Sequence, residues 1–341
     1  MDWSILPPEL LHLISTKFSS ISDLIHFRAV CNTWRASASV SHLPPQIPCF
    51  LLDTKPGATS LNLYSLTSGK THTVSVPACR DLTVMDSSNG YLLMRHLTNP
   101  DLSLLNPVTN SKVSLPFLPC MASQLVWASL DPVQAEDYAV CLLGIVYTPA
   151  PRKFSAFLQP GEVKWTILNK GSNLCCYYKG MYIHVNKISN SLEIYDVATQ
   201  TLREGPVSPT PGLSYLVVSA GQVIGVLKYD NTRVPVHRCQ FEIYRLEFGT
   251  DEKRPSWVKI SNIGDQILFL NLVNGFSITA SCFEGFRGNF IYFLKLTRNG
   301  FDNRIWHVPA RYDIEAGTGE VLPFPPVTEY GMWFLPSLRY A

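Results

Sequence analysis

From Cys49 to the end of the chain one pattern recurs: a β-prone stretch, then two β-rich arms joined by a polar turn. The arm–turn–arm units are LNLYSLTSGKTHTVSVP (61–77), LSLLNPVTNSKVSLPFLP (102–119), FSAFLQPGEVKWTILN (154–169), LEIYDVATQTLREGPV (192–207), FEIYRLEFGTDEKRPSWVKI (241–260) and IWHVPARYDIEAGTGEVLPFP (305–325). Each carries turn formers between its arms, and each follows an apolar run such as CFLLD (49–53), GYLLMRH (90–96) or GQVIGVLKY (221–229). Tyr64, Asn106, Phe157, Tyr195 and Tyr244 occupy equivalent positions, 42, 51, 38 and 49 residues apart. A sheet-sized unit recurring at this spacing cannot bury both faces alone, whereas a ring of such units can. The pattern predicts an all-β propeller, six blades of mostly four antiparallel strands, over residues 49–341. The apolar run Gly331–Leu338 is expected to pair near the first strands and close the ring, which also protects sheet edges. A two-sheet sandwich is the rival arrangement, but the repeats are too long and too many for it.

The N-terminal stretch Trp3–Arg35 breaks this pattern and reads as helix after helix. Leu6-Pro7-Pro8-Glu9 suits a helix start, because a first-turn proline gives up an N–H that has no partner there and Glu9 complements the positive helix end. Leu10, Ile14 and Phe18 form one stripe at helical period, widened by Leu11 and Leu13. Ser19 and Ser20 break the stripe. Ser22 or Asp23 is placed to cap a second helix carrying Leu24, Ile25, Phe27 and Val30. Cys31-Asn32 reads as a bend before a short third helix that begins near Trp34-Arg35. Three helices this short carry more apolar surface than they can hide from one another, so a partner or the β body must cover the rest. The expected organisation is a three-helix module over 1–42, a proline-rich linker over 43–48 containing Pro44, Pro45 and Pro48, and the β body over 49–341.

Composition narrows the function. The chain is 46% hydrophobic and only 16% charged, which excludes a disordered chain and favours a filled β core. Lys plus Arg number 28 and Asp plus Glu 26, with no basic run of the kind that nucleic acid or a membrane surface requires. Lys253-Arg254 directly follows Asp251-Glu252, so that segment neutralises itself. Nine cysteines, an odd number with no C-x-x-C pair, read as free thiols in a reducing compartment. With no basic-then-apolar leader, no N-x-S/T acceptor and no apolar run near the ~18 residues of a membrane span, the expected location is intracellular, nucleus and/or cytoplasm.

Nothing in the sequence selects a catalytic centre, cofactor or metal. Ser68-Gly69-Lys70-Thr71 ends like a phosphate-binding loop, but the upstream glycine it needs falls on Tyr64, so it reads as a hairpin turn. His184 and His307 are isolated strand histidines, and Asp196, Asp230 and Asp265 lie in different units. A propeller channel could still gather carboxylates, as in sugar-cleaving propellers, but no pair stands out. Trp127, Trp165, Trp257, Trp306 and Trp333 recur roughly once per unit and read as packing between blades.

Two resemblances cover nearly the whole chain. LPPELL followed by SDLIHFRAVCNTWR resembles an F-box, the helical module that docks on a Skp-type adaptor. The resemblance implies that Leu6, Pro7, Leu10, Ile14, Leu24, Val30, Cys31 and Trp34 form its core and adaptor contact. The β body, through Ser87–Leu92, Leu105-Asn106-Pro107, Tyr178–Tyr182, Tyr215–Gly221, Phe241–Leu246, Ile263–Leu270 and Asn289–Phe293, resembles the plant F-box family with a KIB-type propeller. The likeness implies a non-catalytic substrate receptor of an SCF-type cullin-RING ubiquitin ligase, with an unidentified protein as target. Two rivals stand beside it: an adaptor-bound module that does not lead to degradation, and a propeller enzyme acting on a carbohydrate or small molecule.

Overall fold

A computed structural model describes residues 6–18, 21–38, 46–52, 55–118, 121–124, 140–146, 152–159, 162–168, 174–186, 189–209, 212–229, 234–249, 255–298, 305–324 and 331–337. Trp3, Ser19, Ser20, Leu43, Pro44, Pro45, Trp127, Asp230 and Asp251–Arg254, named above, lie outside the described residues.

Five sheets are four-stranded and antiparallel throughout. Sheet 1 joins Met332–Phe334 to Cys49–Leu51, Ser60–Ser65 and Thr71–Ser75, in that order. Sheet 2 is Leu82–Ser88, Tyr91–His96, Leu102–Leu105 and Lys112–Ser114. Sheet 3 is Met121–Gln124, Val140–Val146, Arg152–Leu158 and Thr166–Leu168. Sheet 4 is Cys175–Tyr178, Met181–Asn186, Ser191–Asp196 and Thr201–Val207. Sheet 5 is Tyr215–Ser219, Gln222–Tyr229, Gln240–Glu247 and Ser256–Ile260. Sheet 6 departs from the repeat. Its five strands run Gly275–Thr279, Gln266–Leu270, Phe290–Arg298, Ile305–Asp313 and Thr318–Val321, and the Gln266–Leu270/Phe290–Arg298 pairing is parallel.

The period-2 alternation of each strand divides its side chains between two neighbouring sheets. In sheet 2, Leu92 and Met94 pack toward sheet 1, while Tyr91 and Leu93 pack toward sheet 3. Phe157 meets Cys175 and Tyr182 between sheets 3 and 4. Ile183 meets Val223 between sheets 4 and 5, and Val217 meets Leu268 and Ile291 between sheets 5 and 6. Phe269 and Tyr292 of sheet 6 then pack on Phe50 and Trp333 of sheet 1, so the β body is a closed ring. The innermost-to-second turns of sheets 2, 4 and 5 use Asn89-Gly90, Lys179-Gly180 and Ala220-Gly221 with both residues at positive φ. That is the twist a two-residue hairpin needs, and it explains the glycines at 90 and 180.

The C-terminal run behaves as its apolar character predicts. Cys49, Phe50 and Leu51 pair with Phe334, Trp333 and Met332, so strands from the two ends of the β body complete one sheet. Trp333 is fully buried, with ring centroids 5.0 Å from Phe50, 5.2 Å from Phe269 and 5.7 Å from Tyr292. The arm–turn–arm pattern does not mark the innermost strands of the sheets, and it does not anticipate the extra hairpin strand of sheet 6. Both are corrections to a uniform antiparallel unit: the first strands of sheets 2, 4 and 5 are joined by two-residue turns that lie outside the arm–turn–arm segments, while the closing strand of sheet 1 and the parallel pairing in sheet 6 are non-local.

Trp333→Ala is expected to cost about 3–5 kcal/mol of stability, the range for truncating a large buried aromatic. Chemical denaturation monitored by tryptophan fluorescence and circular dichroism measures it.

Candidate functional site

The helical module is α1 (Pro8–Ser15), α2 (Ile21–Ala29) and α3 (Asn32–Ser37). Pro7 and Pro8 set the first turn, where the N–H groups of Leu10 and Leu11 both bond to the Pro7 carbonyl. The inner core is Leu11, Leu24, Phe27 and Ala38, with Leu6, Phe18 and Trp34 packed against it. The Phe27 ring lies 5.1 Å from Phe18 and 4.4 Å from Trp34. Arg28 and Arg35 tie α2 to α3 reciprocally: Arg28 Nη1 donates to the Arg35 carbonyl and Arg35 Nε to the Arg28 carbonyl, each at 3.2 Å.

The residues assigned to the adaptor contact therefore separate into two groups. Leu24 is buried, Leu6 and Trp34 pack on the core, and Cys31 is half-buried where the chain enters α3. These residues hold the module together. Pro7 is exposed, as are Leu10 (48%), Ile14 (41%) and Val30 (56%). The expected 10-14-18 stripe splits. Phe18 turns to the core with Leu11, seven residues before it, while Leu10 and Ile14 face outward together with Leu13 (57%). Leu13 was not among the assigned residues, although its spacing three after Leu10 and its apolar character place it on that face.

The module is seated on the ring through Val108, which packs on its core. Asn106 builds that seat. Its Oδ1 accepts from the N–H groups of Val108 (2.9 Å) and Thr109 (3.2 Å), and its Nδ2 donates to the Ser337 carbonyl at 2.9 Å. The tail beyond the closing strand lies close against Gly90, where an added Cβ would collide with Ser337. Ring closure and module seat thus share one locus.

The middle of the ring is occupied by the chain itself. The turn between the first two strands of sheet 6 reaches across to sheets 1 and 2. Asn271 Oδ1 accepts from Trp333 N at 2.7 Å and its Nδ2 donates to Trp333 O at 3.2 Å, so one side chain satisfies a strand residue as a neighbouring strand would. Ser87 Oγ also donates to Trp333 O, and Asn274 Nδ2 donates to Ser87 O at 3.1 Å. Val273 packs on the cluster of Phe157, Cys175 and Tyr182. Asp86 is buried beside this knot, and its Oδ1 accepts from the Ser87 N–H at 2.8 Å. Burial pushes its carboxyl up to about 8, against the opposing hydrogen bonds from Ser87 and Asn274.

The other chemically suggestive residues have local partners. Burial holds His184 below its ordinary range, with Glu193 opposing, and its Nε2 lies 2.7 Å from Glu193 Oε2. Asp196 accepts from the Thr199 N–H at 3.0 Å within a turn, and Asp265 accepts at 3.2 Å from the N–H of Ser281 in the short 3-10 helix Ala280–Cys282. Residues 68–71 form the sheet 1 hairpin, with Gly69 at φ 63°. Burial raises the thiols of Cys49 and Cys79 to about 11. Among the described residues no group of His, Cys, Asp and Glu is placed to hold a metal, and no helix is long and apolar enough to cross a membrane. Trp165, Trp257 and Trp333 pack on the inter-sheet cores.

The fold thus has two parts, a three-helix module with an outward apolar face and a ring whose middle is filled by its own chain. The sequence matches the F-box domain family over residues 3–44 and the KIB1-4 beta-propeller family over residues 63–321. It is 25% identical to F-box/kelch-repeat protein At2g24250 of Arabidopsis thaliana, over 79% of this chain and 75% of that one. It is 24% identical to F-box/kelch-repeat protein At1g57790 of Arabidopsis thaliana, over 92% of this chain and 91% of that one. The N-terminal segment is 55% identical to F-box protein At2g17690 of Arabidopsis thaliana over 38 residues, 11% of this chain and 9% of that one. The chain belongs to the family of F-box proteins that carry a KIB1-4 β-propeller.

The Asp86 carboxyl gives a pH test. Its folded value of about 8 exceeds the ordinary 3.8, so between roughly pH 4 and 8 the folded state holds a proton that the unfolded state releases. Its contribution to stability is complete below about pH 4 and falls with rising pH, by up to about 1.4 kcal/mol per unit. Asp86→Asn, which keeps the neutral shape, is expected to flatten that slope in denaturation series across pH 4–8.

Proposed function

We propose that this chain is the substrate-recognition subunit of an SCF-type E3 ubiquitin ligase. Its module over 1–42 docks on a Skp-type adaptor, and its ring over 49–341, beyond a linker at 43–48, holds a protein target for ubiquitination and proteasomal degradation. The observation that carries this reading is the apolar face of α1, Leu10, Leu13 and Ile14, left outward on a module whose own core is already complete. An apolar helical face on a seated module calls for a protein partner. The family supports an adaptor as that partner. The contribution to rate is proximity, since a tethered target meets the ubiquitin-charged enzyme at a high effective concentration and the receptor makes and breaks no bonds.

The filled middle of the ring weighs against the enzyme alternative, because Asn271, Val273 and Asn274 stand where a channel substrate would bind. Sheet 6 serves as a sixth blade in this reading, supported by its packing on sheets 5 and 1. The expected setting is intracellular, nucleus and/or cytoplasm.

Leu10→Asp with Ile14→Asp is expected to weaken co-purification with a Skp-type adaptor by at least about 30-fold, equivalent to the ~2 kcal/mol of central anchors. The circular dichroism melt should stay unchanged, because neither side chain belongs to the core. Undiminished capture would overturn the assignment. These positions test the interface more cleanly than Trp34, whose truncation would also unpack Phe27.

A further inference from the structure

The helical module meets the ring through a narrow apolar contact. Among the described residues the broad contacts of the helices are with one another, α2 with α3 and α1 with α3. From the ring, the hydrophobic side chain packed on the module core of Leu11, Leu24, Phe27 and Ala38 is Val108. Val108 is half-buried, in the turn between Leu102–Leu105 and Lys112–Ser114. One valine is a small seat for three helices, and a small interface between two parts of a chain leaves them free to move unless something else fixes it. The placement of the module therefore depends on how firmly that turn is held.

Two kinds of bond hold it. The local ones stay within sheet 2. The Asn106 N–H donates to the Ser111 carbonyl at 2.9 Å, Thr109 Oγ1 donates to Ser111 Oγ at 3.0 Å, and Asn106 Oδ1 accepts from the N–H groups of Val108 and Thr109. The other bond comes from the far end of the chain, where Asn106 Nδ2 donates to the Ser337 carbonyl. The Asn106 side chain is buried, so one amide grips the Val108 turn with its oxygen and the C-terminal tail with its nitrogen. The tail has little slack. Leu335 packs into the core between sheets 6 and 1, and Ser337 follows only two residues later. It passes so close to Gly90, at φ 84°, that any side chain there would displace it.

We propose that Leu335–Ser337 is a strap that positions the helical module. By holding Asn106 it fixes the Val108 turn, and with the strap broken the module loosens from its seat while the ring keeps its fold. Asn106 acts as a positioning residue, through the turn and not through contact with a partner. The inference goes beyond the receptor reading and does not rest on it.

Hydrogen exchange followed by mass spectrometry tests this on the full-length chain and three variants. Asn106→Asp keeps an acceptor for the turn amides but turns a second oxygen toward the Ser337 carbonyl. A chain ended after Leu335 removes that carbonyl and leaves Asn106 in place. Val108→Ala removes the seat and leaves the strap. In all three, amides of residues 8–37 are expected to exchange at least about tenfold faster, with those of Cys49–Leu51 unchanged. Asn106→Asp combined with the shortened chain should do no more than either alone, the mark of one shared contact. Unchanged exchange of the module in the shortened chain or in Val108→Ala would overturn the strap. So would equal acceleration at Cys49–Leu51, which would make the tail a brace of the ring alone, or additive effects in the combined variant. If Asn106→Asp loosens sheet 2 as a whole, the shortened chain decides. Adaptor capture has no part in this readout, so failure here leaves the ligase assignment standing.

Discussion

Met332–Phe334 pairs with Cys49–Leu51, and every other feature of the ring rests on that antiparallel contact. Without it sheet 1 has no innermost strand, and sheet 6 loses Trp333 from the cluster it shares with Phe50. The strand is only three residues long, too short to be held by its ladder alone. Two things secure it. Trp333 fills the space between sheets 1 and 6, against Phe50, Phe269, Tyr292 and Phe324. Its backbone N–H and carbonyl, which face the middle of the ring, are satisfied by the Asn271 side chain. Leaving these groups buried and unpaired would cost about 1–3 kcal/mol each.

The closing strand also fixes the helical module. Beyond Phe334 the tail runs past Gly90 to Ser337, whose carbonyl accepts from Asn106. Asn106 in turn shapes the turn that presents Val108 to Leu11, Leu24 and Phe27. One continuous set of contacts thus links ring closure to the placement of the F-box helices. The shared seat leaves the α1 face of Leu10, Leu13 and Ile14 outward and the opposite end of the ring open.

The middle of the ring is a polar knot. Asp86, Ser87, Asn271 and Asn274 come from two sheets and satisfy one another and Trp333. Burial favours the neutral form of the Asp86 carboxyl, raising it to about 8, which lowers the cost of holding it there.

By itself the sequence determined the two-part plan. Helical period in 3–35 and alternation with turn formers after 49 are local properties, so the three helices and most of the strands were legible from residue order alone. The candidate interface was legible as a set of residues, Leu6 to Trp34, but not as a surface. Which of Leu10, Leu11, Leu13 and Ile14 faces inward depends on where α2 and α3 pack, and only the tertiary structure put Leu24 and Trp34 on the inside and Leu13 on the outside. The inserted turn at Asn271–Asn274 was likewise invisible, because its partners Ser87 and Trp333 lie far away in sequence, and so was the parallel pairing in sheet 6, because Gln266–Leu270 bonds Phe290–Arg298 past its own hairpin strand in the sequence. Local pattern fixes what a segment can become, and non-local contact decides what it touches.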